Sequence, residues 1–126
     1  MSGLQGGSPK NLVAVYGSFD DDLGTIRGHG FHVTVSSGVY TITLDRAYDA
    51  LVSVTANVLN VSPAGSESMI AVIKSHSVTN GTSGGTVVLH AVDIAGAVQT
   101  TPTDPSEIHF CIVLEEDTAV YGYDEV

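Results

Sequence analysis

The chain has 126 residues, the length of one domain that can bury a core without disulfides or bound metals. Its 14 acidic and 4 basic residues give a net charge of −10. This argues against binding to nucleic acid or to anionic membranes, because few cations are present to pair with phosphates. Such acidity favours solubility, and it also suits docking on a basic protein partner.

The composition favours strands over helices. Apolar residues make up 43% of the chain but aromatic residues only 6%, so the core must consist mainly of Val, Ile, Leu and Ala. The single cysteine, Cys111, cannot form an internal disulfide. The N-terminus lacks the apolar core of a secretion signal, and no apolar run reaches membrane-spanning length. We therefore expect synthesis in the cytoplasm and a soluble product.

The N-terminal part of the chain divides into an arm and a first strand. Residues 1–10 are rich in Gly and Ser, and they predict a flexible arm in front of a single domain that covers residues 11–126. Residues 12–16 predict a short strand. Residues 17–30 are predicted to form a loop. Within it, residues 25–27 are compatible with another short strand.

The most strongly patterned stretch is residues 29–45, HGFHVTVSSGVYTITLD. It predicts a β-hairpin with a two-residue turn at Ser37 and Gly38. The apolar face of this register contains the pairs Phe31–Leu44, Val33–Ile42 and Val35–Tyr40, and the polar face contains His32–Thr43 and Thr34–Thr41. Because side chains alternate with period two, a slip of one residue would destroy this match.

The remaining elements are predicted from alternation and turn residues. Residues 46–50 are compatible with one helical turn capped by Asp45. Residues 51–61 predict a half-exposed strand, and further strands are expected at 69–78 and 86–94. The apolar face expected for the strand at 51–61 consists of Val52, Val54, Ala56 and Val58.

The last predicted strand, residues 108–114, is apolar on both faces apart from His109. It is therefore either the central strand of a sandwich or a strand covered by a neighbouring subunit. The acidic tail, residues 115–126, fits either an edge strand or a free end. About seven or eight short strands without helical periodicity predict an all-β fold, an antiparallel β-sandwich or a jelly-roll-like arrangement.

Residues that could carry chemistry have simpler explanations. The run Asp20 to Asp22 offers oxygen ligands for Ca²⁺, but it lacks the EF-hand pattern, so a solvated acidic loop is favoured. His29 and His32 lie three apart on an extended chain and point to opposite faces, and Cys111 is expected to be a buried hydrophobe. The other histidines, His76, His90 and His109, lie on three different predicted strands. We expect no catalytic residues, no cofactor and no metal site, and hence no enzyme.

Two segments carry a resemblance to a known group of proteins. GFHVTVSSGVYTITLDRAYDALVSVTA, followed later by AVQTTPTDPSEIHFCIVLEE, resembles small virion structural proteins of tailed bacteriophages. The group shares a G-F-x-V strand, a G-x-Y-T-[VI]-T-[LF]-D strand, a D-aromatic-x-x-L-x-S segment and a final I-H-F strand. The resemblance covers most of residues 28–116, and residues 118–126 continue past the short polar end typical of the group. The matched positions, which imply roles in the fold, are Gly30, Phe31, Val33, Gly38, Tyr40, Asp45, Tyr48 and Phe110.

The resemblance implies a non-enzymatic capsid decoration, or cement, protein that binds and stabilises the major capsid protein shell at the virion surface. The strand GVYTITL is also similar to a strand of the trimeric jelly-roll heads of the tumour-necrosis-factor and complement type, so we expect a homotrimer. The residues expected to contact the capsid are Leu4, Pro9, Lys10 and Leu12. The alternative function is a receptor- or carbohydrate-binding head domain of a tail fibre or baseplate protein.

Overall fold

The computed structural model describes residues 10–59, 69–79, 84–93 and 107–117. Within them, eight antiparallel strands form two packed four-stranded sheets, which confirms the predicted β-sandwich. The strands are β1 Lys10–Asp20, β2 Ile26–Gly28, β3 Phe31–Ser36, β4 Val39–Leu44, β5 Ala50–Leu59, β6 Met69–His76, β7 Thr86–Asp93 and β8 Glu107–Asp117. The first sheet has the order β2-β1-β8-β5, and the second has the order β3-β4-β7-β6.

The β3–β4 hairpin has the predicted register. Phe31 lies opposite Leu44 and Val33 opposite Ile42, and the polar pairs also match. Ser37 and Gly38 both have positive φ, 49° and 77°, as the two central residues of a type I′ turn require. The turn and the apolar pattern therefore specify the same register.

The core lies between the inner faces of the two sheets. Its largest fully buried side chains come from both layers: Tyr40, Phe19, Ile42, Leu44, Leu89, Ile112, Leu114 and Val87. The rings of Phe19 and Tyr40 contact each other with centroids 5.1 Å apart, and Phe31 meets Phe110 edge-on at 4.9 Å. These contacts join the hairpin of the second sheet to β1 and β8 of the first.

Strand β8 lies in the middle of the first sheet, between β1 and β5. Its apolar sequence is therefore that of a central strand of the sandwich, the first of the two predicted explanations. Its inner side chains are at most 4% exposed: Ile108, Phe110, Ile112 and Leu114. Its outer side includes Cys111, which is half-buried on the sheet surface rather than in the core. The expectation of a buried cysteine was wrong, because a strand with two apolar faces does not reveal which of them points inward.

Strands β1, β5 and β8 differ from their predictions. Lys10, assigned to the arm, is the first residue of β1, which extends to Asp20 because β8 pairs along its whole length. Strand β5 has an irregular register between Leu51 and Ser53, and Val52 there is 49% exposed instead of sharing the inner face. The predicted tail began at residue 115, but residues 115–117 continue β8 in the middle of the sheet and form neither an edge strand nor a free end. The arm residues 1–9 and the remaining tail residues 118–126 lie outside the described residues.

The predicted helical turn at residues 46–50 is wrong. The amide of Asp45 donates to the carbonyl of Gly30, and the amide of Asp49 donates to the carbonyl of Glu115. These two amides are therefore hydrogen-bonded outside the segment and not within a helical turn. The Arg46 guanidinium pairs with the carboxylate of Glu116, which is buried, and lies 4.8 Å from the centroid of the Tyr48 ring. These contacts fasten the β4–β5 connection to β8.

Tyr40 combines complete burial with a specific hydrogen bond. Its hydroxyl donates to the carbonyl oxygen of Asp21 at 2.8 Å, which fixes the loop after β1 against the second sheet. Burial, together with the nearby carboxylates of Asp21 and Asp22, raises the pKa of Tyr40 to about 12. The folded protein therefore favours the neutral, protonated form of the Tyr40 side chain.

We predict that the free energy of unfolding falls as pH rises from 10 to 12. The unfolded state loses the Tyr40 proton near pH 10, while the folded state keeps it to about pH 12, so deprotonation favours unfolding in this window. The loss is on the order of 2 kcal/mol at the upper end of the window. Urea unfolding between pH 8 and pH 12 measures it.

The control for this prediction is a pair of variants. Tyr40→Phe should cost about 1 kcal/mol at neutral pH, because the hydrogen bond to Asp21 is lost, and it should flatten the alkaline decline. Tyr16→Phe, which changes an exposed tyrosine, should keep the wild-type decline. An unchanged decline in Tyr40→Phe would contradict the assignment.

Candidate functional site

Of the four residues expected to contact a capsid, Leu4 and Pro9 lie outside the described residues. Lys10 begins β1 opposite Asp117, and Leu12 lies two residues further along the same strand. The Leu12 side chain is 63% exposed, which is unusual for a large apolar residue inside a regular strand. The surface around Leu12 is therefore a candidate binding surface.

Leu12 belongs to a larger apolar surface on the outside of the first sheet. Along β1, Val13, Val15 and Phe19 point toward the core, and period-two alternation turns the residues between them outward. In the register with β8, Tyr16 lies opposite Cys111 and Ala14 opposite Val113. We call this surface the outer apolar patch, and it consists of Leu12, Ala14, Tyr16, Cys111 and Val113.

The exposure of the outer apolar patch is uneven. Tyr16 is 67% exposed and Leu12 63%, Ala14 is also exposed, and the two β8 residues are half-buried. The solvated face of an antiparallel sheet normally carries polar residues. Contiguous apolar residues on such a face are typical of a surface that binds another protein.

Charged side chains lie at both ends of the patch. Asp20 and Glu107 are opposite each other at one end, and Glu115 lies opposite Leu12 at the other. His109 is within 3.1 Å of the Glu107 carboxylate, measured from Nε2 to Oε1. Arg27 lies on β2, opposite Ser18, at the edge of the sheet. Lys10 and Asp117 lie opposite each other beyond Leu12, so the apolar centre is bounded at each end by more acidic than basic positions.

A shallow cavity of about 250 Å³ adjoins the patch, and Ala14, Tyr16, Gly28 and His29 line it. Gly28 has a φ of +117°, and a Cβ there would lie 2.5 Å from the carbonyl oxygen of Tyr16. Glycine is therefore required for β2 to approach β1 at this point. The cavity combines an exposed aromatic ring with an imidazole.

The other histidines lie in separate environments. His32 is 3.7 Å from Asp45, and the Nδ1 atom of His76 accepts a hydrogen bond from the amide of Val78. The Nε2 atom of His90, on the outer face of the second sheet, is buried and has no hydrogen-bond partner among the residues that the structure describes. Across the described ranges, no three His, Cys, Asp or Glu residues form a group that could hold a metal ion.

The acidic run after β1 forms a tight turn. The amide of Leu23 donates to the carbonyl of Asp20, and the amide of Gly24 donates to Oδ1 of Asp22 at 2.9 Å. Leu23 has a φ of 63°, in the left-handed region. These contacts give the acidic residues a structural role, because they hold the turn that connects β1 to β2.

Sequence reasoning missed most of the outer apolar patch. The sequence predicts a last strand that is apolar on both faces, but it predicts only a short first strand at residues 12–16 and no outer face for it. The signal was present, because residues 12–16, LVAVY, are as continuously apolar as the last strand. Two neighbouring strands of this kind predict that the outer face of their sheet is apolar.

Comparison of the chain with protein-family models, with curated proteins and with solved structures finds no match. The resemblance to phage virion proteins therefore stays a prediction made from the sequence motifs. In the described part of the chain, no helix has the length and hydropathy needed to cross a membrane.

We predict that the Cys111 thiol reacts in the folded protein. It is half-buried on the outer face of β8, where Tyr16 of β1 and Thr55 of β5 lie directly opposite it. Directly opposite residues in a sheet have Cβ atoms about 5 Å apart, and Tyr16 is the larger of these two neighbours. Titration with a chromogenic disulfide reagent should modify one thiol per native chain. Tyr16→Ala should accelerate the reaction several-fold.

Leu12→Ala is the matched control, because Leu12 lies opposite Glu115 and away from Cys111. It should leave the modification rate of the thiol near that of the wild type. A thiol that reacts in urea but not in the native protein would show that Cys111 is covered, and would contradict the exposed patch.

Proposed function

We propose that the protein is a non-enzymatic structural protein of a tailed-bacteriophage virion, a decoration subunit that binds and stabilises the shell of major capsid protein. The observation that carries this proposal is the outer apolar patch on a well-packed sandwich. The motifs at residues 28–116 that resemble phage virion proteins point to the same class of function.

The architecture suits a clamp between shell subunits. A decoration protein must hold its shape while it contacts several neighbours, and this core joins both sheets through fully buried side chains. Each contact with the shell can be small, because a homotrimer would engage several sites at once and multiply the affinity. The net charge of −10 keeps free copies apart at high concentration.

The test of the proposal is co-sedimentation with purified capsid shells that lack this protein. We expect saturable binding with a fixed copy number relative to the major capsid protein, and a higher temperature of shell disruption after binding. An unrelated protein of similar size and net charge serves as the control. Absence of saturable binding would refute the proposed function.

Removal of residues 2–9 tests the contribution of the N-terminal arm. The truncation leaves β1 intact, because that strand begins at Lys10. We therefore expect an unchanged midpoint of thermal unfolding and weaker attachment to shells, measured in the same sedimentation assay. Full decoration by the truncated protein would exclude the arm as a contact.

A receptor- or carbohydrate-binding head of a tail fibre or baseplate is the second candidate, and the cavity beside Tyr16 favours it. An exposed aromatic ring next to a polar imidazole is suited to an amphipathic ring such as a sugar. Reproducible hits on a glycan array that disappear in Tyr16→Ala would support this function over decoration.

A further inference from the structure

We propose that the outer apolar patch is the surface that docks on the capsid, and that the matching capsid surface is apolar at its centre with Lys or Arg at its margins. The inference rests on the proposed function and specifies which face of the sandwich is used and what chemistry recognises it. It moves the expected contact from the arm to a regular sheet surface.

The position of the patch favours docking. Strand β2 pairs with β1 only from Gly17 to Phe19, so the exposed side chains of Leu12 and Tyr16 stand on the part of β1 that pairs with β8 alone and is open to a partner. Together with Cys111 and Val113 on the next strand they form a continuous surface. Protein interfaces have this composition at their centre, where aromatic residues are enriched and charged residues are depleted.

The opposite face of the sandwich differs. The outer side of β3 and β4 carries threonines, with Thr34 opposite Thr41, and His32 opposite Thr43. The exposed apolar residues of that sheet's outer face, Ile70 and Val72, lie on β6, which is an edge strand. On the neighbouring strand β7, the outward-facing Val88 is half-buried and Val92 is buried. The most exposed large apolar side chains of the described strands, Leu12 and Tyr16, therefore belong to the first sheet.

The charges at the margins identify the kind of partner. Each end of the patch has two acidic positions and one basic position: Asp20, Glu107 and Arg27 at one end, and Glu115, Asp117 and Lys10 at the other. If a second copy docked face to face, two ends of net negative charge would meet in either orientation, and each chain carries a net charge of −10. A surface with basic margins is complementary to this arrangement. The expected homotrimer would accordingly use another surface.

The proposal is tested with single variants in the shell co-sedimentation assay. Tyr16→Glu places a charge in the apolar centre and should raise the apparent Kd at least about tenfold. Glu115→Lys reverses a marginal charge and should raise it about threefold, with a weaker dependence on salt than the wild type. Val72→Glu, on the opposite outer face, is the matched control and should change the Kd by less than about twofold.

Each outcome has a defined meaning. If wild-type protein does not bind shells, the proposed function fails. If wild type binds and Tyr16→Glu binds equally well, the function stands and the docking face is wrong. If Tyr16→Glu lowers the oligomeric mass of the free protein in sedimentation velocity, the patch joins copies of this chain, and the proposal is overturned. Thermal unfolding checks that each variant is folded. If Tyr16→Glu does not fold, Leu12→Glu takes its place in the assay.

Discussion

The pairing of β1 with β8 is the constraint on which the rest of the structure depends. The two strands match along the full length of β1, from Lys10 opposite Asp117 to Asp20 opposite Glu107. This long-range pairing closes most of the chain into one loop, which costs conformational entropy. Burial of Phe19, Ile112 and Leu114 between the sheets offsets that cost.

The same register decides what the outside of the first sheet contains. Once Val15 and Phe19 point inward, Leu12, Ala14 and Tyr16 must point outward, since alternate residues of a strand occupy opposite faces. A change of one residue in register would bury Tyr16 and expose Phe19. The outer apolar patch is thus a direct consequence of the core.

Local patterns were sufficient to predict part of this fold. The β3–β4 hairpin could be paired residue by residue because one face is wholly apolar and the turn residues tolerate positive φ. The sandwich class followed from the number and spacing of short strands. Both inferences depend on contacts between residues that are close in sequence, or on composition alone.

Other features depended on tertiary partners and could not be predicted. Cys111 lies on a strand with two apolar faces, so its orientation follows only from the pairing of β8 with β1. The irregularity at Leu51 and Ser53 exposes Val52, although the sequence alternates without interruption. At residues 46–50, the contacts of Arg46 and Asp49 with β8 outweigh a weak local preference for a helical turn.

Exposed apolar surface and strong acidity fit together in the proposed function. The patch would promote association between free copies, but the carboxylates of Asp20, Glu107 and Glu115 at its ends oppose docking of one chain on another. A basic partner surface removes this repulsion and allows the apolar centre to be buried. The charge distribution would therefore delay burial of the patch until the chain meets the shell.

Protection of the Cys111 thiol on assembled shells tests the central claim most directly. Alkylation of free and shell-bound protein, followed by mass spectrometry of the Cys111 peptide, compares the two rates without any substitution in the chain. The account predicts that the rate falls at least about tenfold on binding, because the patch is then buried. An unchanged rate on fully decorated shells would show that the first sheet faces away from the capsid.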